Sequence, residues 1–243
     1  MRKQNLILIF ILTLMPTLSG CGIIDYFYLP PGEDTAQELF EAGNDAMREK
    51  NYVAAASYYS KLKEDHPFSP NALAAELALA DAYFLDEEWA AAVETYKDFE
   101  NMHPRHEAIP YVLHKIGIAN MKLYPSIDRA TQPVQDAYSY FQRLVETYPD
   151  TEYAKDAANK MVEARAMLAK HELYVGDFYF RMGQYASALS RYREVETNYR
   201  DVPEAYDYAV NQSKIAFIKH REKRSSQKQE KREGSWKEMF DWL

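Results

Sequence analysis

Residues 43–67 read GNDAMREKNYVAAASYYSKLKEDHP, and four of their positions decide the fold. Gly43, Ala55, Tyr59 and Pro67 are spaced by 12, 4 and 8 residues. The same spacing returns at Ala80, Ala92, Tyr96 and Pro104. It returns again at Gly176, Ala188 and Tyr192, with Arg200 where the proline would stand. Ala137, Phe141 and Pro149 keep the last three positions of a further unit. The first half of that unit, around Gly117, is set back by an insertion of eight residues near Ser126 to Pro133. A small residue on each of two helices lets their backbones approach closely. The aromatic fills the gap between hairpins, and proline stops the second helix.

These small-small-aromatic-proline marks resemble the tetratricopeptide repeat, which implies an all-α solenoid of four to five helix hairpins. The pattern predicts helices over 35–50, 52–66, 71–86, 88–102, 107–123, 132–148, 152–182, 184–199 and 203–224. Thr151–Met182 holds no proline and a single glycine, Gly176, so one long helix is expected to bridge two units. Ser225–Ser235 is polar without an apolar period and reads as disordered. Trp236, Met239, Phe240 and Leu243 would then share one face of a short amphipathic helix.

The chain has 243 residues, 47% apolar and 27% charged, which is enough to bury a core. Its formal charge of −8 disfavours general nucleic-acid binding. One cysteine excludes an intramolecular disulfide and a zinc site of paired cysteines. No glycine-rich phosphate loop, G-x-S-x-G elbow or H-E-x-x-H helix is present. His103 and His106 flank Pro104 with Glu107 following, but the pattern supplies no further ligand for a metal. No catalytic residue, metal site or cofactor is expected, and the chain is not read as an enzyme.

The start of the chain reads as an address. Arg2 and Lys3 precede the apolar run Leu6–Leu14, far short of the roughly 20 residues of a membrane-spanning helix. Leu18-Ser19-Gly20-Cys21 resembles the lipobox of bacterial lipoproteins. The resemblance implies cleavage before Cys21 and acylation of its thiol, palmitate included. Cleavage there leaves a formal charge of −10. Gly22 after the cysteine, by resemblance to the lipoproteins of two-membraned bacteria, implies delivery to the outer membrane, and Gly22–Gly32, with Pro30 and Pro31, reads as an extended tether. The expected organisation is a signal peptide at 1–20, a lipidated tether at 21–33 and a repeat domain at 34–218. A polar basic tail at 219–235 and a short amphipathic segment at 236–243 follow.

Further stretches narrow the resemblance. They are His66-Pro-Phe-Ser-Pro70, Tyr111-Val112, Gly117-Ile-Ala-Asn-Met121, Asp128-Arg129 with Gln132, and Tyr148-Pro-Asp-Thr-Glu-Tyr-Ala154. With the lipobox and the insertion they resemble the BamD family, the repeat lipoproteins of the outer-membrane β-barrel assembly (BAM) machine, over about residues 18–218. The resemblance implies a non-catalytic scaffold on the periplasmic face of the outer membrane, anchored by lipid. It implies docking on the POTRA domains of BamA, companion assembly-machine lipoproteins, and recognition of unfolded outer-membrane proteins for insertion. Arg191 matches an arginine of the BamA contact.

By register, the first helices offer Phe40, Asn44, Met47, Leu77, Asp81 and Phe84 to a peptide groove. The three large apolar residues Phe40, Met47 and Phe84 read equally well as core between hairpins. A periplasmic repeat lipoprotein for pilus assembly or cell-wall coordination is the alternative, and the insertion around Asp128-Arg129 favours the first reading. From Lys219 onward, eight Lys/Arg face five Asp/Glu. A basic tail of this kind suits anionic lipid or protein, or serves solubility alone.

Overall fold

A computed structural model of the chain describes residues 34–240, with side chains through Arg232. Among the described residues nine α-helices follow one another and no strand occurs. They are α1 (Ala36–Arg48), α2 (Tyr52–Asp65), α3 (Ala72–Leu85), α4 (Trp89–Met102), α5 (Ile109–Lys122), α6 (Gln132–Thr147), α7 (Glu152–Arg181), α8 (Tyr185–Asn198) and α9 (Pro203–Phe240). Short loops fold consecutive helices back on one another, so α1/α2, α3/α4, α5/α6 and α7/α8 form hairpins. The ends of the first eight fall within a residue or two of the expected positions.

Local chemistry punctuates the helices. Thr35 closes a capping box with Glu38, and Asn51 and Thr151 accept N–H bonds from Ala54 and Ala154 at 3.2 Å. Lys50, Glu87 and Gly183 each stand seven residues after a small residue and take φ of 60°, 61° and 68°. That left-handed step lets the next N–H reach back to close the helix, as Asn51 to Ala46, Glu88 to Tyr83 and Gln184 to Tyr179 do at 2.8–3.0 Å. The third unit has the insertion instead. There the His171 ring of α7 is 2.7 Å from the Ile127 carbonyl, which pins the insertion to the long helix.

The repeat aromatics Tyr59, Tyr96, Phe141 and Tyr192 are all fully buried. Each contributes about 2–3 kcal/mol through the surface it removes from water. The rings of Tyr59, Phe141 and Tyr192 lie on Gly43, Gly117 and Gly176 of the partner helix in the same hairpin. The aromatic therefore fills the gap inside the hairpin and not only, as the spacing suggests, the gap between hairpins. A Cβ added at Gly43 would stand 2.5 Å from the Tyr59 ring, and one at Gly117 would overlap Phe141. Glycine there answers a close approach of helix to ring.

The buried side chains form three clusters. One joins α1, α2 and α3, the second runs from α3 to the N-terminal half of α7, and the third joins the rest of α7 with α8 and α9. Helix α7 gives Ala154 and Ala157 to the second and Ala169 to the third, so it bridges two units as expected.

The C-terminal region departs from expectation. Helix α9 continues without a break to Phe240, through the stretch 225–235 that reads as disordered in the sequence. The apolar period ends at Ala216, but Gln, Lys, Glu and Arg are good helix formers and no proline interrupts them. An exposed helix needs no apolar stripe. Cys21, the 21–33 tether and the side chains of Trp236, Met239, Phe240 and Leu243 lie outside the described residues.

Candidate functional site

The first helices touch one another along the solenoid: α1 meets α3, α5 meets α7, and α7 meets α9. A hydrogen bond from the Tyr111 hydroxyl of α5 to Asp81 Oδ1 of α3, at 2.6 Å, supplies the remaining link. These helices form one wall of the solenoid.

A polar device repeats in this wall. The residue after each small residue accepts a hydrogen bond from the tyrosine 15 positions later. Tyr59 OH donates to Asn44 Oδ1 at 2.9 Å and Tyr192 OH to Asp177 Oδ1 at 2.7 Å, while Tyr96 OH donates to Asp81 Oδ1. The third unit, where Phe141 has no hydroxyl, carries Ile118 at the acceptor position. The acceptors also reach the next unit: Asp81 binds Tyr111, and Asp177 binds Tyr208 of α9 at 3.0 Å. Burial, then the Asp81 charge, pushes the Tyr59 hydroxyl up to about 12. Burial raises Tyr96, Tyr111 and Tyr192 further, so all stay protonated and donate.

The six groove residues all sit on this wall. Phe40 and Met47 are half-buried against the first cluster, and the Phe40 ring is 6.1 Å from that of Tyr59. Leu77 and Phe84 pack on the second. Phe84 meets Trp89 edge-on at 5.1 Å, and the Lys115 ammonium lies 4.0 Å from its ring centre. Burial lowers the Lys115 pKa, the Asp81 charge opposing it. Asn44 and Asp81 are engaged by tyrosines, so part of their hydrogen-bonding capacity is used within the fold. Sequence reasoning assigned no place in the wall to Tyr111, Lys115, Asp177 or Tyr208. The 15-residue offset from acceptor to tyrosine was a signal for Asp177.

Arg191 stands apart from this wall, on α8, with its side chain 45% exposed. Its Nη1 donates to Glu172 Oε2 of α7 at 3.0 Å, so the guanidinium is held by one carboxylate and keeps donors for another. His103 is bound to Glu76 at 2.8 Å, and both His103 and His106 flank the Phe99 ring. They staple the loop after α4. Among the described residues no cluster of His, Cys, Asp or Glu is arranged to hold a metal. No helix among them is long and apolar enough to cross a membrane.

A family model described as outer membrane lipoprotein, YfiO, matches residues 32–232. The chain belongs to that family. It bears out the BamD resemblance carried by the repeats and the insertion. The outer membrane protein assembly factor BamD of Vibrio cholerae is 26% identical over 178 residues, covering 69% of this chain and 74% of that protein. Its counterpart from Neisseria meningitidis serogroup A is 27% identical over 197 residues, 76% of this chain and 74% of that one. Among solved structures, a thermophilic TPR protein of Thermus thermophilus aligns with a TM-score of 0.40 and 16% identity, over 73% of this chain and 98% of its own. The YfiO family is one of non-enzymatic scaffolds.

Proposed function

We propose that this chain is a non-catalytic lipoprotein component of outer-membrane β-barrel assembly. Acyl chains on Cys21 hold it on the periplasmic face of the outer membrane. The C-terminal hairpins dock on the POTRA domains of BamA, with Arg191 in the contact, and other assembly-machine lipoproteins join there. The wall from Phe40 to Phe84 receives unfolded barrel proteins.

The observation that carries this reading is the unbroken family match over residues 32–232, with curated relatives that are outer membrane protein assembly factors. Two features support the finer parts. Phe40, Met47, Leu77 and Phe84 alternate with polar Asn44 and Asp81 along one wall, which suits a peptide of alternating aromatic and polar residues. Arg191 is exposed and singly paired, a geometry ready for a partner carboxylate.

The experiment is to purify the lipidated protein from mildly solubilised membranes and identify what accompanies it. Recovery of a POTRA-bearing barrel protein in fixed ratio is expected, and Arg191→Glu should lower it at least tenfold, since a repelling charge replaces a pairing one. Recovery of pilus or cell-wall proteins instead overturns the function and leaves the fold standing.

A further inference from the structure

Helix α9 has two parts. Ala205, Ala209, Ser213 and Ala216 are buried against the body, and no described residue after Ala216 is buried. Lys223 fixes one side of the continuing helix, because its Nζ donates to the Gly183 carbonyl in the α7–α8 turn at 2.8 Å. Between residues 214 and 232 the helix carries eight Lys/Arg and two Glu.

The cations are ordered. Lys214, Phe217, Arg221, Arg224, Lys228 and Lys231 are separated by 3, 4, 3, 4 and 3 residues. At about 100° per residue they fall on one face, roughly 26 Å long. All six are exposed. Lys223 lies on a different face, and Glu222 and Glu230 are off the stripe. Among the described residues no carboxylate pairs with the five cations, and the ion pair in this stretch, Lys219–Glu222, is also off it. The Arg221 guanidinium sits 5.8 Å from the Phe217 ring.

We propose that this face of α9 docks on the anionic headgroups of a phospholipid surface. Folded protein partners favour aromatic, lysine-poor contact centres, whereas this stripe offers five cations and one ring. A headgroup layer asks for charge rather than matching shape, and each Lys or Arg near it strengthens the attraction. The chain as a whole is acidic, so an anionic bilayer repels it except along this stripe. The inference is independent of the groove and of Arg191.

The test is vesicle flotation with residues 22–243, which contain every helix described and lack the cysteine. Binding to phosphatidylcholine vesicles containing phosphatidylglycerol should exceed binding to phosphatidylcholine alone by about tenfold or more at low salt, and fall as salt rises. Arg221→Gln, Arg224→Gln, Lys228→Gln and Lys231→Gln combined should abolish the difference while far-UV circular dichroism stays helical. A control with Arg48, Lys122, Lys155 and Arg193 each changed to Gln removes the same charge elsewhere and should float like the parent. Equal binding to both vesicles, unchanged flotation of the stripe variant, or equal loss in the control overturns the proposal. A stripe variant that floats normally but loses partner proteins overturns it in favour of a protein surface.

Discussion

Replacing Asp81 by Ala removes one side chain and orphans two donors. Tyr96, fully buried, and Tyr111, partly buried, both donate to Asp81 Oδ1. A buried donor left without an acceptor costs about 1–3 kcal/mol, and with Tyr111 partly accessible to water the sum is roughly 2–4 kcal/mol. In a domain of this size that lowers the melting temperature by about 5–15 °C. The decisive comparison is the triple variant Asp81→Ala, Tyr96→Phe, Tyr111→Phe, which removes the orphaned hydroxyls with their acceptor. It should recover at least half of the loss, because the destabilisation lies in the unmet donors and not in a missing bond. The third unit already pairs Ile118 with Phe141 in this way. Thermal melts followed by circular dichroism at 222 nm measure all three chains. A triple variant no more stable than Asp81→Ala alone refutes the reasoning and makes packing around the carboxylate the cause.

Gly117→Ala should destabilise the third hairpin by roughly 1–3 kcal/mol through overpacking, because the new methyl overlaps the Phe141 ring; adding Phe141→Leu should recover part of it in calorimetric melts. The Arg165 guanidinium holds the Asp201 carboxyl below the usual range. A lowered carboxyl pKa stabilises the fold above the unfolded value of about 3.9 and stops doing so as pH falls through the native value. The urea midpoint of Asp201→Asn should therefore lie below the parent's at neutral pH and converge with it as pH falls through the lowered native pKa of Asp201; a gap that persists once the carboxyl is fully protonated counts against the pairing.

The repeat was legible because its marks are steric. Gly43, Ala55 and Tyr59 each report a distance between backbones, and such a requirement survives as spacing in the chain. The pairings within the wall were less legible. Asn44 and Asp81 could be placed on a face, but Tyr111 belongs to the next unit and meets Asp81 only once two hairpins stack. Arg191 and Glu172 are 19 residues apart on different helices, an ion pair that no periodicity announces. The end of α9 escapes a reading by periodicity for a different reason: an apolar period marks a helix that packs on something, and an exposed helix has no need of one.

Helix α7 is 30 residues long, about 45 Å from end to end. Repeat arrays usually come apart unit by unit, each interface acting as a separate cooperative boundary. Here one unbroken rod enters two neighbouring clusters, so the third and fourth hairpins cannot bend against each other without breaking its backbone hydrogen bonds. A load applied at α8 is thereby carried to the insertion loop that His171 holds, with no pivot between them. Bending of this solenoid therefore falls to the joints among its first three hairpins, and the joint that α7 spans is the stiff one.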